Sequence, residues 1–289
     1  MRTPNEILRE IDQLPGMDEF KALCKRIHTA ADNAGRLLPG KAPLPNLIFS
    51  AAPGCGVTLH IRLLSELLGS LRLLQFTGEE EFFEWSLGNG PHAVDRLLLR
   101  VKAASGFYGQ FRGVIGLDIS DAIRHGDTLP DTERLMEFVN ANQGRIVFVF
   151  VVPDHVSSRT LRELLGCFAS ITPAEVIHMP FPTGEAKSFV ARKLKERGFR
   201  LTKKAAARLE EAVTQMSTSK EFEGYRTLDN LADAIIWHRL CSDTMKTPTI
   251  GEADLGFIFA ENGYFSQLNA SSSNAGKRRV GFGTTKEGC

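Results

Sequence analysis

The segment AAPGCGVT, residues 51–58, contains the residues of this chain best suited to bind phosphate. Its pattern follows the loop G-x-x-x-x-G-K-[ST], in which backbone N–H groups and a helix N-terminus surround the phosphates, the lysine contacts them and the hydroxyl holds Mg²⁺. Gly56 and Thr58 match this pattern and Gly54 also remains in the loop, whereas Ala51 stands in place of the first glycine and Val57 in place of the lysine. Because an isopropyl group cannot neutralise phosphate charge, we expect the affinity for a nucleotide to fall sharply.

A second candidate site is the apolar run GVIGLDISD, residues 113–121, which ends in a carboxylate. In ATP-hydrolysing enzymes an aspartate at such a position holds Mg²⁺, and a glutamate directly after it polarises the attacking water. Asp118 matches the aspartate, but Ile119 occupies the position of the glutamate, so the usual catalytic base is absent. Thr58 and Asp118 are therefore the candidate metal ligands. The alternatives are a helix-capping hydroxyl for the threonine and a strand-end turn former for the aspartate.

Composition sets limits on the partners and the compartment. The chain has 289 residues, and its 35 Lys and Arg against 34 Asp and Glu give a formal net charge of +1, so nucleic acid is not an expected partner. The five cysteines are scattered without metal-ligand spacing, which favours a reducing cytoplasm, and Cys55 is expected to be a small buried filler of the loop. No segment has the pattern of a signal peptide or a membrane span.

The order of apolar and amphipathic segments predicts an α/β fold. Strands alternate with helices, which favours a parallel sheet with helices on both faces. Strands are predicted over 46–51, 71–76, 113–118 and 145–152, and helices over 6–12, 17–34, 58–68 and 131–142. The stretch after residue 76 is predicted to be helical as far as Ala103, with Phe82, Phe83 and Trp85 packing into the core.

A change of character after Pro182 predicts a separate helical module. Helices are expected over 183–196, 202–215 and 227–242, with Thr183 and Thr202 as N-caps. The predicted organisation is therefore N-terminal helices and a linker over 1–45, an α/β core over 46–182, a helical lid over 183–266 and a disordered tail over 267–289.

Several segments, in the same order, resemble the AAA+ ATPases of the red-type Rubisco activase and stage V sporulation protein K branch. The resemblance covers residues 5–255, roughly. It is carried by LPGMDEFKALCKRI, LIFSAAPGCGVT, GVIGLDISD, RIVFVFVVPDH, FVARKLKERGFRLTKKAAARLEEAV and GYRTLDNLADAIIWHRL. The resemblance implies a P-loop NTPase-like core with a helical lid, ATP bound between them, and a ring in which a neighbouring subunit completes each site.

The resemblance also assigns nucleotide-contacting positions. These are Pro53, Gly54, Cys55, Gly56, Val57 and Thr58 in the loop, Asp118 after the third strand, and Arg226 in the lid. For Arg226 a surface ion pair is the alternative, and for Asp154 and His155, near the family's sensor position, a turn and an exposed side chain are the alternatives.

This chain departs from the family at the charged positions. Besides Val57 and Ile119, the segment 166–175 has none of the arginines that reach into an adjacent subunit, Asp229 stands at the second lid arginine, and Ser86-Leu87-Gly88 replaces the pore segment. Each lost group is an electrostatic component of phosphoryl transfer, and losing one costs several powers of ten in rate.

Three functions are compatible with these residues. The first is a pseudo-ATPase that acts as a regulatory or scaffolding subunit beside an active AAA+ relative or its own copies, with weakened or absent binding of ATP or ADP with Mg²⁺. The second is an atypical ATP-driven remodeller of a protein client, in which Lys41 replaces the missing lysine. The third is a nucleic-acid-binding initiator or clamp-loader-like module, which would need a basic face.

Overall fold

The computed structural model describes residues 2–37, 44–76, 81–88, 90, 92–105, 110–124, 132–169, 174–181, 183–219, 222–242, 247–260 and 263–264. These residues group into two compact units. The first contains residues 2–52 and 56–180, and the second contains residues 53–55 and 181–264. Lys41 and the tail over 267–289 lie outside the described residues.

The first unit is built on a five-stranded parallel sheet in the order β2-β3-β4-β1-β5. Its strands are β1 (Asn46–Ala51), β2 (Phe82–Ser86), β3 (Gly113–Asp118), β4 (Ile146–Pro153) and β5 (Ala174–Met179). The strands β1, β3 and β4 are buried along their whole length, which explains their nearly continuous apolar sequences. The prediction of an α/β fold with a parallel sheet is confirmed.

Helices connect and flank these strands. They are α1 (Pro4–Gln13), α2 (Asp18–Leu37), α3 (Val57–Ser70), α4 (Ala93–Ala104), α5 (Ser120–Arg124), α6 (Thr132–Ala141) and α7 (Ser158–Ala169). At the start of α1, the Thr3 hydroxyl accepts the Glu6 N–H while the Glu6 carboxylate accepts the Thr3 N–H, a reciprocal cap that satisfies two otherwise unpaired donors.

The alternation of side chains along β3 separates the two faces of the sheet. Ile115, Leu117 and Ile119 belong to a core cluster that also contains side chains of α4, α6 and α7. Since successive strand residues point to opposite faces, Gly116 and Asp118 lie on the other face, where α3 contacts β2 and β3. The helix that follows the glycine loop and the carboxylate at the end of β3 therefore share one face.

The second unit is a helical bundle with its own core. Its elements are α8 (Ala186–Glu196), β6 (Arg200–Leu201), α9 (Lys203–Ser217), α10 (Tyr225–Leu240) and β7 (Thr249–Ile250), with 3₁₀ turns at Thr183–Glu185 and Ala253–Phe259. Thr202 caps α9, as predicted, because its hydroxyl accepts the Ala205 N–H at 3.2 Å. The prediction for Thr183 is wrong, since α8 starts later and Glu185 is its N-cap residue.

The second strand lies elsewhere than predicted. The chain after α3 turns back on that helix, because the N–H groups of Leu73 and Leu74 donate to the carbonyl of Leu68 and are lost to any sheet. Residues 71–74 therefore form turns and bends, and no strand is present as far as residue 76. The strand β2 is formed instead by FFEWS, inside the stretch that was predicted to be helical, where the aromatic side chains suit a pleated, half-buried surface.

The unpredicted strand β5 lies at the other edge of the sheet. One of its backbone donors finds a partner on α2, because the His178 N–H donates to the Glu19 carboxylate at 2.7 Å.

Among the described helices, none combines the length and the apolar composition that crossing a bilayer requires.

Candidate functional site

The glycine loop connects β1 to α3, as the motif requires. Two of its residues have backbone conformations that favour glycine: Gly54 with φ of 67° and Gly56 with φ of 89°. Gly56 is the N-cap residue of α3, so Thr58 lies inside the first turn and does not cap the helix. The capping alternative for the Thr58 hydroxyl is therefore wrong. The order of strand, glycine turn and helix predicted from the sequence is confirmed.

The loop glycine Gly54 is required by a contact between two backbones. The loop residues Pro53–Cys55 belong to the second unit, in which the Tyr225 N–H donates to the Gly54 carbonyl at 3.0 Å. A Cβ on Gly54 would lie 1.7 Å from the Glu223 carbonyl oxygen, and one on Gly224 would lie 2.7 Å from the Gly54 carbonyl oxygen. The glycine at this loop position thus has a packing role that does not depend on a phosphate.

Apolar side chains at the two substituted positions are buried. Val57, at the position of the loop lysine, is 3% exposed, and Ile119, at the position of the catalytic glutamate, is 0% exposed. Ile119 belongs to the core cluster on the face of the sheet opposite Asp118. Neither position presents a side chain that could contact a phosphate or activate water.

The Thr58 hydroxyl has a partner that was not anticipated. It donates to the Glu84 carboxylate of β2 at 2.9 Å. The register pairs Glu84 with Gly116 and Ser86 with Asp118, so the side chains of Glu84 and Asp118 lie on the same face of adjacent strands. Thr58, Glu84 and Asp118 form a small oxygen-rich cluster beside the first turn of α3.

Burial dominates the electrostatics of this cluster. Desolvation raises the pKa of Glu84 from 4.5 to about 7; the hydrogen bond from Thr58 opposes this shift, and the charge of Asp118 adds to it. The second carboxylate oxygen, Oε1, is buried and has no hydrogen-bond partner among the described residues. Near neutral pH, Glu84 is therefore divided between its neutral and its charged form.

Asp118 is buried, with 2% of its surface exposed, and its Oδ1 accepts the Ser120 N–H at 2.9 Å. This contact is the strand-end turn that was the alternative to a metal ligand. The other candidate metal ligand, Thr58, lies on the same face of the sheet, and Glu84 links the two.

His60 lies one turn into α3 and is also buried. Its Nδ1 lies 2.8 Å from the Gly56 carbonyl oxygen, and its ring packs edge-on against Phe20 with 4.8 Å between the ring centroids. Burial lowers the pKa of His60 to about 4, although the Gly56 contact acts in the opposite direction. His60 is therefore neutral at physiological pH and fixes the glycine that precedes the helix.

The residues that the resemblance assigns to a lid arginine and a sensor position are exposed. Arg226, at the second residue of α10, lies 3.6 Å from the Glu223 carboxylate, which is the surface ion pair that was its alternative. Asp154 and His155 follow β4 and are both exposed, with 3.7 Å between Oδ1 and Nδ1. Trp85, expected to pack into the core, lies partly buried against the core cluster.

The donors beside α3 agree with Mg²⁺ in kind, since a hydroxyl and two carboxylates are oxygen ligands. Within the described ranges, however, no three His, Cys, Asp or Glu side chains are grouped to hold a metal ion. The cluster could bind a hydrated Mg²⁺ that is already held by phosphates, but Val57 leaves the phosphate side without its lysine. The residues therefore supply oxygen ligands of the kind that Mg²⁺ prefers, but not the cation that a triphosphate needs.

Glu84 could not have been assigned to this site from the sequence. It follows the acidic run of residues 79–81, and its contact with Thr58 depends on the position and register of β2. In the sequence, the one indication of Glu84 is a carboxylate that stands among aromatic residues.

Comparison with models of known protein families and with curated protein sequences gives no significant match.

Proposed function

We propose that this protein is a degenerate AAA+-like pseudo-ATPase, which acts as a regulatory or scaffolding subunit beside an active relative or beside its own copies. The observation that carries the proposal is the pair of buried apolar side chains at the two positions where phosphoryl transfer needs charge, Val57 and Ile119. The surrounding framework of strand, glycine turn, helix and strand-end aspartate is retained.

The arrangement of the sheet supports the P-loop part of this proposal. The loop follows β1 and the aspartate ends β3, and β4 lies between these two strands. Since parallel strands carry ligands at their carboxyl ends, the loop and the carboxylate lie at the edge where a ligand is expected. The remaining oxygen cluster supports weak binding of Mg²⁺ with a nucleotide, without the lysine that would make it tight.

Calorimetry of ATP and ADP with Mg²⁺ tests this proposal. We expect binding in the millimolar range or none, because Val57 is apolar at the position where the loop lysine would neutralise phosphate charge. The matched variant Val57→Lys should bind ATP more tightly and still not hydrolyse it, because Ile119 supplies no base. Its stability should fall by roughly 1–3 kcal/mol, since the lysine enters a buried position.

Gel filtration with and without ATP distinguishes the scaffold from an ATP-driven remodeller. A scaffold keeps one elution volume in both conditions, because its assembly does not depend on the nucleotide. Micromolar ATP binding by the unmodified chain, together with ATP-dependent assembly, would contradict the proposal and favour the remodeller.

A further inference from the structure

Although the net charge of the chain is close to zero, one of its segments is strongly basic. Residues 186–208 contain nine Lys and Arg and a single acid, Glu196, whereas the chain as a whole has 35 basic and 34 acidic residues. The remaining residues are therefore net acidic. Such an asymmetry indicates a local anion-binding surface that the total charge does not report.

More than half of this basic charge is paired with carboxylates of the second unit. Five of the nine side chains form ion pairs between or along helices: Lys187 with Glu210, Arg192 with Glu196, Lys193 with Asp229, Arg197 with Asp233 and Arg208 with Glu211. The other four, Lys195, Arg200, Lys203 and Lys204, are exposed and form no ion pair with any described residue. We call these four residues the basic end.

The topology of the second unit brings the basic end together. The C-terminus of α8, the strand β6 and the N-terminus of α9 follow one another within ten residues, and the Gly198 N–H donates to the Lys195 carbonyl to close the turn. Lys203 and Lys204 occupy the first turn of α9, where the helix dipole disfavours positive charge. Their position weakens the helix, which is compatible with a role in binding an anion.

An exposed aromatic side chain lies on α10, the helix that pairs with α8. The ion pairs Lys193–Asp229 and Arg197–Asp233 show that α8 and α10 run in the same direction side by side. Trp237 lies one helical turn beyond Asp233 on the exposed face of α10, and it is 70% exposed. It therefore continues the stripe of α10 that pairs with α8, toward the end of α8 from which the basic end begins.

We propose that the basic end and Trp237 form a binding surface for single-stranded nucleic acid. The lysines and Arg200 contact the phosphates, and a base stacks on the indole ring of Trp237. Stacking on an aromatic ring beside a basic groove is the common mode of single-strand binding without sequence preference.

The composition of the surface favours nucleic acid over an acidic protein. Stable protein interfaces have an apolar, aromatic-rich centre, whereas nucleic-acid interfaces are polar and positively charged. The large apolar side chains exposed on the second unit, among the described residues, are Trp237 and Leu240, both at the end of α10. One exposed ring in a unit with four cations outside the described ion pairs matches a stacking platform better than an apolar docking patch.

Fluorescence anisotropy with labelled oligothymidylate of about 20 nucleotides tests the proposal. The wild-type chain should bind at about 50 mM salt and lose affinity steeply by about 200 mM, because bound counterions are released from the strand. The triple variant K195A/R200A/K204A should bind at least tenfold more weakly, and its salt dependence should have a smaller slope, by about two.

The matched control removes the same charge elsewhere. Lys102, Arg159 and Arg162 are exposed residues of the first unit, and K102A/R159A/R162A should bind the oligonucleotide like the wild type. Equal losses in the two triple variants would overturn the assignment to the basic end, and so would an absence of binding by the wild-type chain at low salt.

The stacking role has its own readout. The chain has two tryptophans, so Trp85→Phe leaves Trp237 as the single fluorophore. Its emission should be quenched when oligothymidylate binds, and Trp237→Ala should weaken binding by about 5- to 100-fold. Binding without quenching would overturn the single-strand assignment. If a polyglutamate peptide bound at the basic end and the oligonucleotide did not, the surface would be a site for an acidic protein.

Discussion

Two buried ionisable side chains flank the first turn of α3, and their contributions to stability change with pH in opposite directions. The pKa of Glu84 is raised to about 7 by desolvation, whereas the pKa of His60 is lowered to about 4 by the same cause. Each group prefers its neutral form when folded. Their contributions to the free energy of unfolding partly cancel between about pH 4 and 7. Variants that replace one side chain at a time are needed to separate them.

Replacing Glu84 by glutamine should stabilise the protein above neutral pH. The folded pKa of Glu84 is about 7 and the ordinary value is 4.5. The free energy of unfolding therefore decreases as the pH rises through this window, because the charged carboxylate is unfavourable in the folded state. We expect Glu84→Gln to be about equal to the wild type near pH 5 and more stable by roughly 1–2 kcal/mol near pH 8, measured by urea unfolding.

Glu163 offers the control for this variant, since it is an exposed carboxylate of α7 paired with Arg159. Glu163→Gln should leave the pH dependence of unfolding unchanged. If the difference between Glu84→Gln and the wild type stayed constant from acid to alkaline pH, Glu84 would not be the desolvated group described above.

Replacing His60 should protect the fold against acid. The folded pKa of His60 is about 4 against an ordinary 6.5, so the unfolded state takes up the proton first and stability is lost as the pH falls through this range. His60→Phe should remove roughly 2–3 kcal/mol of the loss that the wild type shows between about pH 7 and 4. The exposed His155→Gln is the control, and an acid loss retained in full by His60→Phe would refute the assignment.

At the scale of elements, the first turn of α10 and the glycine loop meet through their backbones. Gly54 and Gly224 both have positive φ, and a side chain on either would strike the backbone of the other segment. The Tyr225 N–H completes the contact by donating to the Gly54 carbonyl. Gly54, the loop glycine, is thus required by a contact that needs no nucleotide.

Adding a methyl group at either glycine should be costly. Gly54→Ala and Gly224→Ala should each lower the free energy of unfolding by roughly 2–4 kcal/mol, because each adds a steric clash to an unfavourable φ. The double variant should cost little more than the worse single one, since both changes break the same contact.

Gly184→Ala is the matched control for the two glycines, because a Cβ at Gly184 has no atom within 4 Å. It should unfold at nearly the wild-type denaturant midpoint. If Gly54→Ala and Gly224→Ala unfolded there too, the backbone contact would not be a tight one.

The strands that the sequence predicts well are those buried on both faces, such as β1 and β4. A short, continuous apolar run is compatible with few structures other than a buried strand. The strand β2 was missed because FFEWS lies at the sheet edge and mixes polar with aromatic residues.

In the candidate site, the loop and Asp118 were found from motif spacing. Glu84 was not, since its place beside Thr58 depends on the pairing of strands distant in sequence.

For the whole molecule, charge is distributed unevenly between segments although the total is +1. The basic residues concentrate over 186–208 in the second unit, while Val57 stands at the position where the candidate nucleotide site needs a cation. Among the described residues, the loop position where a nucleotide needs a cation is therefore apolar, and positive charge lies at the basic end. This distribution accords with a protein that contributes binding surfaces and leaves ATP hydrolysis to others.

The most direct test of the pseudo-ATPase proposal is steady-state phosphate release from ATP with Mg²⁺, measured on the purified chain beside Asp118→Ala and Thr58→Ala. The lysine position and the base position are both apolar, so we expect the wild type to release phosphate at the rate of the two variants and of buffer alone. Turnover by the wild type that either substitution abolishes would contradict the proposal and show that this site hydrolyses ATP without its usual charged groups.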